Sequence, residues 1–114
     1  IDFGDMVYTY VSAEPAICIA YAVLDSKKPF EVAADILKGF ELIYHLSDEE
    51  IESVIYFSCM RLCVSVIMAN YRANLFPNND YLVVSSEKAW RFLEYMYAQD
   101  LIKWSRDLVR HVRA

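Results

Sequence analysis

A long apolar stretch behind a helix-capping signal constrains the fold of this chain more than any other feature. Ser47-Asp48-Glu49-Glu50 has the pattern of a capping box, in which the Ser47 hydroxyl and the Glu50 carboxylate each accept a hydrogen bond from the other residue's amide. Apolar residues then recur at helical spacing as far as about Asn74 and cover most of the circumference. The pattern predicts a long helix over residues 48–74. A helix that is apolar on most sides is typical of the middle of a larger body.

Three more helices are predicted around this one. Ser12-Ala13-Glu14-Pro15 has the pattern of a helix start, with a capping hydroxyl and a proline in the first turn. Ser85 or Ser86 is the expected cap of the last helix, and Tyr81 to Val84 is expected to be short and extended or irregular. Since no hairpin signal is present, we expect an all-α fold with main helices near residues 13–25, 29–45, 48–74 and 86–111.

Composition narrows the class of protein. The 114 residues are 57% hydrophobic with only two glycines and three prolines, which predicts an ordered, core-forming segment. A net charge of −5 argues against a nucleic-acid partner, because such proteins carry a basic patch. The longest near-continuous apolar run, Pro15 to Leu24, is half of what a bilayer crossing needs, so no membrane partner is expected.

The cysteines indicate the compartment. Cys18, Cys59 and Cys63 make an odd count, and no histidine is spaced to complete a metal site with them. They are therefore predicted to be reduced core residues, which favours an intracellular, cytoplasmic protein.

Several segments together carry a family resemblance. They are Ile1-Asp2-Phe3-Gly4-Asp5-Met6, Glu14 at the head of an apolar helix, Arg61-Leu62-Cys63, and the run from Met68-Ala69-Asn70-Tyr71-Arg72 through Phe76-Pro77-Asn78-Asn79-Asp80 to Ala89-Trp90. The pattern resembles the C-terminal part of the aminoglycoside-phosphotransferase-like small-molecule kinases, the choline kinase family. Within it, the pattern looks most like the hydroxylysine kinases and like the phosphotransferase segment fused to class-III aminotransferases, and it does not separate these two groups.

The resemblance implies that residues 1–114 are the C-terminal helical subdomain of a kinase-like phosphotransferase whose N-terminal lobe and catalytic loop are absent. Asp2, in the kinase tripeptide Asp-Phe-Gly, would be the ligand of Mg²⁺. The catalytic base would come from an upstream H-x-D-x-x-x-x-N loop, so no catalytic residue is assigned in this chain and the fragment alone is expected to be inactive. Asp5 is either an acceptor that fixes the turn or a solvated carboxylate, and Glu14 either accepts from the catalytic-loop backbone or favours the helix dipole.

Arg61 is a candidate for substrate binding. It stands among apolar residues, so the ordinary interpretation is a pair with an internal carboxylate or a side chain that reaches water. The sharper interpretation is recognition of a substrate carboxylate, which suits an amino-acid acceptor.

The sequence and the resemblance support two functional hypotheses, which belong to different classes. The first is the C-terminal half of a kinase that moves the γ-phosphoryl group of GTP or ATP to a small hydroxylated acceptor, with 5-hydroxylysine expected from the resemblance. The second is a non-catalytic helical interaction module or a degenerate kinase-like segment. In a complete kinase lobe, the catalytic loop and the nucleotide-binding half would cover the apolar helices near residues 16–24 and 51–68. For this fragment we expect self-association to cover them and to bury at least roughly 1,200–2,000 Å² in total.

Overall fold

The structure is a computed structural model that describes residues 11–75 and 80–114, with residues 80–85 described by their backbone alone. Within these ranges all regular structure is helical, so the predicted all-α class is confirmed. The helices, in chain order, are α1 (Ala13–Ala22), α2 (Pro29–Glu41), α3 (Asp48–Leu75), α4 (Asp80–Tyr97) and α5 (Leu101–Arg113).

Helix α3 is the centre of the arrangement and begins where the capping box predicts. The Ser47 amide donates to Oε1 of Glu50 at 2.9 Å, and the Glu50 amide donates to Oγ of Ser47 at 3.2 Å. These two bonds satisfy amides that the first helical turn leaves without a partner. Helix α3 packs against α1, α4 and α5, and α2 packs against α1 and α5.

One hydrophobic core joins the five helices. Its fully buried members include Ile19 on α1, Leu37 on α2, Ile55 and Leu62 on α3, and Leu108 on α5. Helix α4 contributes further buried apolar side chains, the largest of which are Phe92 and Met96. The principal extents of 48 × 35 × 18 Å describe a slab.

The predicted last helix is wrong in two respects. Residues Tyr81 to Val84 belong to α4 and are neither extended nor irregular, so Ser85 and Ser86 lie inside a helix and do not begin one. The helix also breaks between Tyr97 and Leu101, where Asp100 adopts an extended backbone and its Oδ1 accepts from the Lys103 amide at 3.1 Å. Asp100 caps α5, and the apolar periodicity that runs across this break concealed it.

The start of α1 also differs from the prediction. Ser12 has helical backbone angles and makes no capping bond, and its buried hydroxyl instead shares a hydrogen bond of 3.0 Å with the Ser53 hydroxyl. Helix α1 is not buried on all sides, because Ile17, Cys18 and Tyr21 are exposed. Among the cysteines, Cys59 is half-buried whereas Cys18 and Cys63 are exposed, so the three are free but only one of them borders the core.

The length and hydropathy of helix α3 are relevant to the predicted absence of a membrane partner. Of the described helices, it alone is long and apolar enough to cross a bilayer by length and composition, with a mean hydropathy of 1.7 over its best 18 residues. A third of that window is buried against the neighbouring helices, and core helices of soluble proteins meet the same criterion. The absence of a membrane partner remains a prediction.

Candidate functional site

Only two of the sequence-predicted site residues can be located. Asp2 and Asp5 lie outside the described residues. Glu14 is exposed in the first turn of α1, where its charge favours the helix dipole. Arg61 is exposed on α3, so it needs no internal carboxylate partner and reaches water directly. The structure therefore provides a position and surroundings for Arg61 and Glu14, and the metal role of Asp2 stays a prediction.

Arg61 belongs to a polar cluster that spans α1 and α3. Its Nε donates to the hydroxyl oxygen of Tyr21 at 3.2 Å, and this hydroxyl lies 3.1 Å from Oγ of Ser65 in a second hydrogen bond. The Ser65 hydrogen bond lowers the pKa of Tyr21, burial acts in the opposite direction, and the Arg61 hydrogen bond and positive charge lower it further. The cluster holds the guanidinium in a defined place at the surface.

Helical spacing explains part of this cluster. Arg61 and Ser65 are four residues apart and therefore lie on one side of α3, facing the last turn of α1 where Tyr21 stands. Tyr21 was missed by sequence reasoning because its partners are 40 and 44 residues away, and only the packing of α1 against α3 brings them together.

The contacts of the cluster involve only one of the three guanidinium nitrogens of Arg61. Within the described part of the chain, the terminal nitrogens Nη1 and Nη2 make no hydrogen bond or ion pair, while Nε is held by Tyr21. These two nitrogens form one edge of a planar fork that matches the two oxygens of a carboxylate or phosphate. Such a site suits an anionic group of a small ligand.

No metal site is complete within the described ranges. Among the side chains of residues 11–75 and 86–114, no group of three or more His, Cys, Asp or Glu is arranged to hold a metal ion. A hard cation such as Mg²⁺ needs several oxygen ligands.

Comparison with curated proteins supplies the decisive observation. The chain is 36% identical over 98 residues to hydroxylysine kinase of Bos taurus and, over the same length, 36% identical to that of Mus musculus. These matches cover 85% of this chain and 26% of each relative. The chain is homologous to hydroxylysine kinases.

The hydroxylysine kinase of Danio rerio is more distant, with 32% identity over 85% of this chain and 28% of its own length. The chain thus spans about a quarter of the length of the curated hydroxylysine kinases that it matches. No protein-family profile matches the chain, and no solved structure matches it significantly. The predicted resemblance to hydroxylysine kinases is confirmed.

Proposed function

We propose that the chain forms the helical part of a small-molecule kinase that moves the γ-phosphoryl group of GTP or ATP to the hydroxyl group of 5-hydroxylysine. The observation that carries the proposal is the homology to hydroxylysine kinases over 85% of the chain. Since the chain spans only about a quarter of those relatives, the activity is proposed for a protein that also supplies the nucleotide-binding part and the catalytic loop.

In this proposal Asp2 is the metal ligand. Mg²⁺, when bound, neutralises charge on the β- and γ-phosphates of the nucleotide. Phosphoryl transfer depends mainly on positioning and charge neutralisation. The carboxylate of the Asp-Phe-Gly tripeptide would contribute to both by holding the metal ion. Asp5 and Glu14 would support this region, Asp5 by fixing the turn and Glu14 by accepting hydrogen bonds from backbone amides of the catalytic loop.

Arg61 is proposed to bind the acceptor. An amino acid presents a carboxylate, and the terminal nitrogens of Arg61, which no described residue binds, can take it in a bidentate pair. Tyr21 and Ser65 would hold the guanidinium in the orientation that this pair requires.

The first experiment tests the activity and the role of Asp2. A protein that contains this chain together with an upstream catalytic loop is assayed for transfer from GTP and from ATP to 5-hydroxylysine and to other hydroxylated acceptors. We expect transfer to 5-hydroxylysine, and we expect Asp2→Asn to remove most of it without changing the thermal unfolding midpoint. Asp25→Asn, an exposed carboxylate that pairs with Lys88, is the matched control and should retain full activity.

Three results would contradict this assignment. They are an absence of transfer to 5-hydroxylysine with either nucleotide, full activity of Asp2→Asn, and loss of folding in Asp2→Asn. A correctly folded protein that transfers nothing would instead favour the non-catalytic helical module.

The second experiment tests Arg61. We expect Arg61→Gln to raise KM for the acceptor roughly 10- to 100-fold, because a charge-assisted hydrogen bond contributes about 1.5–3 kcal/mol, while KM for the nucleotide stays unchanged. Arg72→Gln changes another exposed arginine of α3 and serves as the control. Equal effects of the two substitutions would show that Arg61 has no specific part in acceptor binding.

A further inference from the structure

Helix α3 carries a second apolar surface on the side opposite to the core. We name this surface the α3 seam. It consists of Met60, Val64, Ile67, Met68, Tyr71 and Leu75, whose exposed fractions are 61%, 51%, 66%, 42%, 60% and 56%. The opposite side of the same helix holds Leu62, which is fully buried, and Val66, which is 7% exposed. The seam is therefore apolar surface that the five helices leave uncovered.

The seam is one continuous stripe. Its members are separated by four, three, one, three and four residues, which places them on one side of a helix over about 22 Å. None of the six carries a charge. Tyr21 and Ile17, on the neighbouring helix α1, are exposed as well, at 47% and 42%.

The exposed area of the seam approaches that of one side of a protein–protein interface. Together the six side chains expose on the order of 600 Å², the upper end of the largest apolar patch on a typical monomer. A standard interface buries roughly 800 Å² per partner, and the flanking surface of α1 and α3 supplies the difference.

The spacing of the seam residues along α3 is symmetric about the midpoint of the seam. The separations read the same in both directions, so an antiparallel copy of α3 centred between Ile67 and Met68 places Met60 opposite Leu75 and Val64 opposite Tyr71. The same alignment places Arg61 opposite Asn74 and Arg72 opposite Cys63, so the arginines that flank the seam do not face each other.

We propose that a second copy of this chain covers the α3 seam, with the two α3 helices antiparallel about a two-fold axis. A two-fold interface uses the same patch on both copies, and a stripe with mirror-symmetric spacing and no charge meets that requirement. Antiparallel packing also sets the helix dipoles of the two copies in opposite directions. The evidence for this pairing is separate from that for the phosphotransfer proposed above, although both use the surface around Tyr21, which holds Arg61.

The first test measures the mass of the chain in solution. Sedimentation of the purified chain at about 100 μM should give twice the 13.3 kDa mass of one copy, because the buried area is that of a standard complex. Ile67→Glu places a carboxylate at the centre of the seam in both copies and should raise the dissociation constant at least tenfold. The matched control is Ile43→Glu, at a side chain that is 91% exposed and lies outside the seam, and it should leave the constant unchanged.

The second test distinguishes antiparallel from parallel pairing. Val64→Lys and Tyr71→Glu should each weaken self-association, whereas an equimolar mixture should pair more tightly than either variant alone. The reason is that antiparallel helices place the new lysine opposite the new glutamate and leave a wild-type pair at the other end. In a parallel pair the two new charges would not meet, and mixing would give no gain.

Several results would overturn the proposal. They are a single-copy mass at 100 μM, an association that Ile67→Glu does not weaken, an equal weakening by Ile43→Glu, and the absence of a gain on mixing. Flotation of the wild-type chain with phosphatidylcholine vesicles, abolished by Ile67→Glu, would make lipid the occupant of the seam. All variants are first shown to have the helical circular dichroism of the wild type.

Discussion

The two sides of α3 are alike in composition and opposite in environment. On one side Ile55, Ser58 and Leu62 are fully buried beneath the neighbouring helices, whereas on the other Met60, Ile67 and Tyr71 are 60–66% exposed. Both sides are largely apolar, so hydrophobicity alone does not decide which side forms the core. The difference arises because α1, α4 and α5 cover only one side of the helix.

The largest expected effect comes from truncating one side chain on each face. Leu62→Ala should lower the free energy of unfolding by about 2–5 kcal/mol, since it removes buried contacts and leaves a cavity. Met60→Ala should change it by less than about 0.5 kcal/mol in dilute, monomeric protein, because that side chain is 61% exposed. Urea denaturation at low protein concentration measures both values. Similar losses in the two variants would mean that the assignment of the faces is incorrect.

The cysteines give a second contrast along the same helix. Burial, with a smaller contribution from Cys63, raises the pKa of Cys59 to about 11, so about one thiol in a thousand is ionised at pH 8. Cys63 is exposed. We therefore expect iodoacetamide at pH 8 to alkylate Cys63 at least about tenfold faster than Cys59.

Mass spectrometry of the peptides measures the two alkylation rates, with Cys63→Ser as the control that isolates Cys59. Faster alkylation of Cys59 would place it on the exposed side. The experiment uses dilute protein, so that self-association does not cover Cys63.

The sequence predicted those features that depend on local chemistry. The capping box of Ser47 and Glu50 forms as expected, and Pro29 begins α2 as its first residue. Asp100 was missed because apolar residues continue at helical spacing on both sides of it. The bare side of α3 could not be predicted, since a helix that is apolar on most sides contains no local signal of which side its neighbours cover.

The candidate site was predictable only in part. Arg61 was singled out because it interrupts an apolar segment, and it proves to be exposed. Its partner Tyr21 could not be found, because the contact depends on the crossing of two helices and on no sequence motif. The positions of Asp2 and Asp5 lie outside the described residues, so their roles remain proposals.

The smallest expected effect concerns the N-terminal end of α3, where hydrogen bonds and ion pairs between charged side chains connect it to α2 and α5. Nη1 of Arg113 donates to Oε1 of Glu41 at 2.5 Å, Nε donates to Oδ1 of Asp48 at 3.1 Å, and Nη2 donates to the Leu46 carbonyl. The His45 ring nitrogen Nδ1 also lies 2.6 Å from Oε1 of Glu41. Burial opposes ionisation of Glu41, but the Leu46 amide, then Arg113 and His45, outweigh it and lower the pKa of Glu41.

A lowered pKa in the folded state fixes the direction of the pH effect. The ionised Glu41 stabilises the fold above the ordinary glutamate pKa of about 4.3, and this contribution is lost as the pH falls through the lower folded value. Glu41→Gln should therefore lower stability at pH 7 and reduce the loss between pH 5 and pH 3. Thermal unfolding midpoints across this range test the prediction, and an unchanged pH profile in the variant would refute it.

Oxidation of methionine side chains by dilute hydrogen peroxide tests the central claim, the two-sidedness of α3, most directly. Met60 and Met68 lie on the seam, whereas Met96 of α4 is buried in the core at 2% exposure. In dilute protein, Met60 and Met68 should oxidise much faster than Met96. Raising the protein concentration to about 100 μM, where the standard-size interface should hold two copies together, should slow both seam residues and leave Met96 unchanged. Equal rates at Met60 and Met96 in dilute protein would contradict the assignment of core and bare surface, and seam rates that do not fall with concentration would contradict the pairing of two copies.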